Sequence, residues 1–183
     1  LYNTAMAAFP GQAQQQMLTQ AASSGRQGAP PPAAFPQEVE AEANDHFQRI
    51  YSQNKPVAEV VDLLNKYRNS GVEKDQQVFA CMVHNLFDEY RFFQNYPDKE
   101  LNITAALFGS LLQYHMISGI TLGMALRYMR QALAAPAGSK LFRFGLGALQ
   151  QCRGVVGQWP PFCAKVVQLP QVGGQGMGGR RGA

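Results

Sequence analysis

Three histidines, three cysteines and twelve carboxylates are the side chains with which this chain could do acid–base, nucleophilic or metal chemistry. Catalysis needs a nucleophile, a base and a stabilising group within hydrogen-bond reach of one another. His46, His84 and His115 each fall on a different expected helix, and none has a Cys or His at metal-site spacing. They read as structural histidines, at the surface or half-buried. Glu38, Glu40 and Glu42 crowd one short stretch, which could suggest a metal site. Acids also suit the positive end of a helix, and that explains them more simply. The "GLG" at 145–147 lies inside a helical pattern, with no preceding strand and no phosphate-binding loop. It reads as a point of close helix packing. Cys81 and Cys152 sit in apolar runs, where a free thiol behaves as a small hydrophobe. With Cys163 they make an odd set without close pairing, which suits a reducing compartment such as the cytosol or nucleus. No enzyme, metal site or cofactor is expected.

What stands out instead is an aromatic constellation. Asn44, Phe47 and Tyr51 are spaced one helical turn apart and share a face. Tyr96 stands in the polar turn "QNYPD", where it has little reason to be buried. Core packing is the plain reading of any one of these residues. A first helix left outside the hairpin pairing would, however, leave a groove edge beside them.

The elements that must position them are helices. Pro36 and the three glutamates open a first helix, and Val39, Ala43, Phe47, Ile50 and Tyr51 form its stripe to about Ser52. Pro56 opens a second, with Val57, Val60, Val61, Leu64 and Tyr67, and "NSG" stops it. The third carries a wide apolar face from Val78 to Phe93, with Leu86 at mid-stripe. Pro97 breaks the pattern and Asp98 is placed to cap a fourth, which contains Leu101, Phe108 and Leu112. A fifth follows Ser118 and Gly119, with Leu126 at mid-stripe, and ends before Pro136. Ser139 caps a sixth, and Pro160 with Pro161 opens a short seventh. No run alternates with period two for long enough to be a strand. Short loops between helices favour antiparallel neighbours. The second and third, fourth and fifth, and sixth and seventh helices are expected to pair, leaving the first to lie across the stack. The repeat length of roughly 40 residues is that of HEAT-like repeats. The expected fold is therefore all-α, a HEAT-like α-solenoid of stacked antiparallel helical hairpins.

The chain has 183 residues, 46% hydrophobic, which suits one core. It opens at Leu1 rather than Met, as a piece of a longer protein would. Residues 1–35 are rich in Ala, Gln and Pro and read as a disordered linker, because they cannot bury enough apolar surface to offset ordering entropy. Residues 36–169 are the helical body, and residues 170–183 a Gly-rich flexible tail. No apolar run reaches the ~18–20 residues of a membrane span. All 12 acidic residues lie between Glu38 and Glu100, and the body as a whole is close to neutral despite a pI of 9.1. That argues against the rival reading, a nucleic-acid-binding helical repeat, which would cluster its cations on one surface.

Three blocks are recognisable: "FPQEVEAEANDHFQRIY", "VFACMVHNLFDEYRFFQNYPDKELNITAALFGSLL" and "LGMALRYMRQAL…GSKLFRFGLGAL". Together they resemble the tristetraprolin-binding domain of the large Not scaffold subunit, which organises the Ccr–Not messenger-RNA deadenylase complex. The resemblance spans about residues 35–169. It implies a HEAT-like domain, related to the middle domain of translation-initiation scaffolds, with no active site of its own. It also implies that RNA-binding adaptors such as tristetraprolin dock a short, partly helical peptide in a groove lined by Asn44, Phe47, Tyr51 and Tyr96. The implied partners are adaptor peptides and, through the rest of the scaffold, other Ccr–Not subunits. No membrane or sequence-specific nucleic acid is among them. The implied place is the cytoplasm, decay granules included, and also the nucleus.

Overall fold

The computed structural model describes residues 35–173, and every regular element among them is a helix. The α-helices are α1 (Gln37–Gln53), α2 (Val57–Arg68), α3 (Glu73–Asp88), α4 (Asp98–Gln113), α5 (Gly119–Leu133), α6 (Lys140–Cys152), α7 (Pro160–Val166) and α8 (Pro170–Gly173). Two 3-10 helices, Glu89–Asn95 and Val156–Gln158, join α3 to α4 and α6 to α7. The expected all-α class is what forms. The chain divides into two compact units, one up to Glu100 and one from Leu101. The expected linker lies outside the described residues except for Phe35, whose ring packs 5.9 Å from that of His84. At the other end of the described residues Pro170–Gly173 is a helical turn, and Gln171 Nε2 donates to the Ala134 carbonyl at 3.3 Å.

In the first unit, Pro36 presets the entry to α1, and Glu38 and Glu40 occupy its first turn. Asn54 ends the helix in the left-handed region (φ 49°), where Asn is tolerated. The stripe Val39, Ala43, Phe47, Ile50 and Tyr51 is buried, and α1 packs chiefly on α3. Helices α2 and α3 form the expected hairpin. The first helix is therefore no unpartnered crossing element. It buries five residues, more than the three of α2. The third helix is shorter than its apolar run suggests. It yields at Asp88 to the 3-10 helix, whose tighter winding turns Glu89 and Phe93 inward.

A polar cluster ties three helices of this unit together. The Tyr67 hydroxyl on α2 donates to Glu42 Oε1 on α1 at 2.8 Å, and Lys74 Nζ on α3 lies 3.1 Å from Glu42 Oε2. The Tyr67 bond, then Lys74, hold the Glu42 carboxyl below its usual 4.5. Burial, with help from that same bond, pushes the Tyr67 phenol up to about 12. His46 packs edge-on to the Tyr67 ring at 5.0 Å, and burial lowers its pKa despite the nearby Glu42.

In the second unit α4 is buried almost all round, as a central helix must be. It begins at Asp98 itself, so Asp98 stands in the first turn rather than before it. Ser139 caps α6 as expected, its Oγ accepting from the Phe142 N–H at 3.2 Å. The main hairpin is α5 with α6, and α7 lies on α5. The expected fourth–fifth and sixth–seventh pairings give way to these. Small residues decide the change, because they let backbones approach. A methyl group on Gly145 would stand 3.0 Å from Ala132 Cβ and from the Leu133 nitrogen on α5. One on Gly109 of α4 would meet the Ala148 carbonyl of α6 at 2.6 Å. Phe108 and Phe144 cross edge to face at 5.3 Å beside these contacts. Cys81 and Cys152 are buried free thiols, and burial raises each to about 11. His115 lies in no helix. It occupies the turn after α4 at φ 52°.

Leu86 is buried at 1% exposure, whereas Leu126 is only half-buried and faces a pocket, so the expectation that both are core leucines holds for one. Leu86→Ala should destabilise by about 2–5 kcal/mol in chemical denaturation, and Leu126→Ala by under about 1 kcal/mol. Equal losses would contradict these placements. Gly109→Ala should cost about 1–3 kcal/mol through overpacking. Gly123→Ala, on exposed α5 with open space around it, should gain up to about 1 kcal/mol of helix propensity in the same assay. In acid the folded state should weaken in two steps. His46 binds its proton less readily folded than unfolded, so its contribution fades as pH falls below about 6.5. The lowered pKa of Glu42 adds stability above about 4.5, which is lost as pH falls through the folded value. Tyr67→Phe should flatten the lower step in melts across roughly pH 3 to 7 and leave the upper one.

Candidate functional site

The residues with an expected binding role all belong to the first unit. Asn44, Phe47 and Tyr51 follow one face of α1, and the Phe47 and Tyr51 rings stack at 6.3 Å with 20° between their planes. Tyr96 closes the 3-10 helix, its N–H donating to the Phe93 carbonyl at 3.2 Å. Its ring crosses that of Phe93 at 5.2 Å, and Phe93 meets Tyr90 at 5.6 Å. Burial above all, then the neighbouring Tyr51 and Glu89, push the Tyr96 phenol far above its ordinary value. Tyr51 therefore stands beside Tyr96, and the two ends of the constellation meet.

They meet closed rather than open. Tyr96 is 0% exposed, Phe47 1% and Tyr51 7%. The expectation that Tyr96 stays at the surface is overturned. A tyrosine can be buried when its hydroxyl finds a partner. The Tyr96 hydroxyl donates to Glu89 Oε2 at 2.7 Å, and Glu89 is itself 1% exposed. Sequence reasoning passed over Glu89. The signal was there, since an acid follows Leu86 by three positions on a stripe otherwise apolar.

Asn44 is different. It is half-buried, and its Oδ1 is buried with no hydrogen-bond partner. Such a group carries a desolvation cost that a donor would relieve. Near the end of the same helix, a depression of about 360 Å³ runs from Ile50 to Val60 and Leu63 of α2, with Lys55, Glu59, Asp62 and Lys66 around it. The first unit thus offers a stacked aromatic cluster, an orphaned acceptor and an adjacent mixed-charge depression. Among the described residues, no group of three His, Cys, Asp or Glu is placed to hold a metal ion, and no helix is long and apolar enough to cross a membrane.

Residues 8–177 match the family model described as the CCR4-NOT transcription complex subunit 1 TTP binding domain. The chain is 40% identical over 139 residues to the general negative regulator of transcription subunit 1 of Schizosaccharomyces pombe. It is 38% identical over 135 residues to the CCR4-NOT transcription complex subunit let-711 of Caenorhabditis elegans. Those matches cover 76% and 73% of this chain but only 7% and 5% of the two relatives. A solved structure, the N-terminal domain of the yeast Not1, superposes on 79% of this chain with a TM-score of 0.74 and 30% identity, using 28% of its own length. That likeness agrees with the expected helical solenoid. On the extent of the family match, the chain belongs to the TTP-binding domain family of CCR4-NOT transcription complex subunit 1.

Proposed function

We propose that this chain is the adaptor-docking segment of a Ccr–Not scaffold subunit. It takes short, partly helical peptides of RNA-binding proteins of the tristetraprolin type. It thereby brings the deadenylase complex to their messenger RNAs for deadenylation, decay and translational repression. The remainder of the scaffold holds the other subunits, the catalytic ones included, and the work is done in the cytoplasm, decay granules included, and in the nucleus.

The observation that carries this reading is the orphaned Asn44 Oδ1 beside the stacked Phe47 and Tyr51 rings. A docking helix brings spaced apolar anchors and, at its first turn, backbone N–H groups without internal partners. The anchors pack against Phe47, Tyr51 and Tyr96, and a peptide N–H satisfies Asn44. Because the aromatic rings are closed over one another, the cluster must part for an anchor to enter. The affinity is lowered by the fraction of molecules that are open. Micromolar binding, near −8 kcal/mol, is the expected scale.

The burial of the rings dictates the choice of variant. Phe47→Ala should cost about 3–5 kcal/mol of stability, so its loss of binding would say little. Asn44→Ala removes an acceptor that bonds nothing in the fold, so the melting temperature should hold or rise. Peptide affinity, read by fluorescence polarisation with a tristetraprolin-type C-terminal peptide, should fall roughly five- to thirtyfold, the worth of one good hydrogen bond. A folded Asn44→Ala protein that binds like the parent would place the groove elsewhere. Tyr96→Phe should weaken the fold by about 1–3 kcal/mol in the same melts, because it removes the hydroxyl that donates to the buried Glu89.

A further inference from the structure

The second unit carries a feature unrelated to the aromatic cluster. From Leu101 to Ala183 the sequence has eight Lys and Arg and no Asp or Glu. The near-neutral charge of the body is an average over two unlike halves. Three of these cations gather at one place. Arg127 and Arg130 of α5 and Lys165 of α7 line a pocket of about 300 Å³, together with Gly123, Leu126, Pro161 and Phe162. No carboxylate in the unit can neutralise them. The apolar surface also continues beyond the pocket. Ile120 is 85% exposed and Met124 38%, and helical geometry sets both on the face of α5 that carries Gly123 and Arg127.

We propose that this pocket is a second docking site, for an acidic amphipathic segment of a partner protein. The segment seats one aliphatic or aromatic anchor between Leu126, Pro161 and Phe162, and its carboxylates meet Arg127, Arg130 and Lys165. Charge complementarity identifies the occupant, because a cationic surface in a unit without Asp or Glu attracts an anion. The floor identifies it as peptide rather than nucleic acid. Base recognition on a single strand uses open aromatic faces. The Phe162 ring is buried at 6% exposure, so the pocket offers an apolar hollow and no stacking platform. A hollow of this volume sits at the small end of ligand sites and suits one or two side chains.

The test uses this chain and three labelled probes in fluorescence polarisation. The first is a peptide of about a dozen residues with Leu at helical spacing among Glu and Asp. The second is the same peptide with Gln and Asn for the acids, and the third is an oligouridine of similar length. The acidic peptide should bind, lose affinity as salt screens the charges, and outcompete the neutral one. Arg127→Glu with Arg130→Glu should weaken it at least about tenfold. Gly123→Leu is the independent variant: nothing stands within 4 Å of an added Cβ there. It should therefore plug the pocket and abolish binding without lowering the melting temperature. Peptide binding that survives either substitution in a folded protein overturns the proposal. So does equal binding of the neutral peptide, or an oligouridine that binds more tightly than the acidic peptide and is lost in both variants.

Discussion

A carboxyl group at 1% exposure persists in a protein interior only where a polar partner meets it. In the first unit Glu89 is met by the Tyr96 hydroxyl at 2.7 Å. That bond allows a tyrosine from a polar turn to enter the core, and the arrangement around it follows. The 3-10 winding after Asp88 brings Glu89 and Phe93 to the inner side. The Tyr96 ring then lies across Phe93 and next to Tyr51 of α1. The aromatic constellation is thus a cluster sealed from within. Aromatic packing and the buried Tyr96–Glu89 hydrogen bond fix the corner before Pro97.

Polar satisfaction is uneven along α1. Glu42 is the common partner of Tyr67 and Lys74 and so links three helices. Asn44, on the helix that carries Glu42, has an oxygen that no group reaches. Evolved interiors leave few such atoms, and function is a common reason for the exceptions. In the second unit stability comes from close approach instead. Glycine at 109 and 145 lets neighbouring helices approach almost to backbone contact, which leaves the outer face of α5 to display Ile120, Met124 and its cations.

The thiols of both units are buried or half-buried, and the depressions of both combine apolar with charged side chains. Membership of the TTP-binding domain family agrees with a module that works by holding other chains.

Much of this was legible in residue order. The all-α class, the stripes of α1 to α3 and the Ser139 cap follow from local rules: apolar spacing, proline and glycine positions, and the reach of a side chain to its own backbone. Those interactions join residues a few positions apart, so sequence alone determines them. Which helix packs on which was decided elsewhere. The partnership of α5 with α6, the inward turn of Tyr96 and the outward turn of Leu126 depend on surfaces distant in the chain. Leu86 and Leu126 occupy equivalent places on their stripes, yet one is core and the other lines a pocket. A periodic pattern specifies a face but not its occupant, and only the packed structure shows whether protein or solvent lies against it.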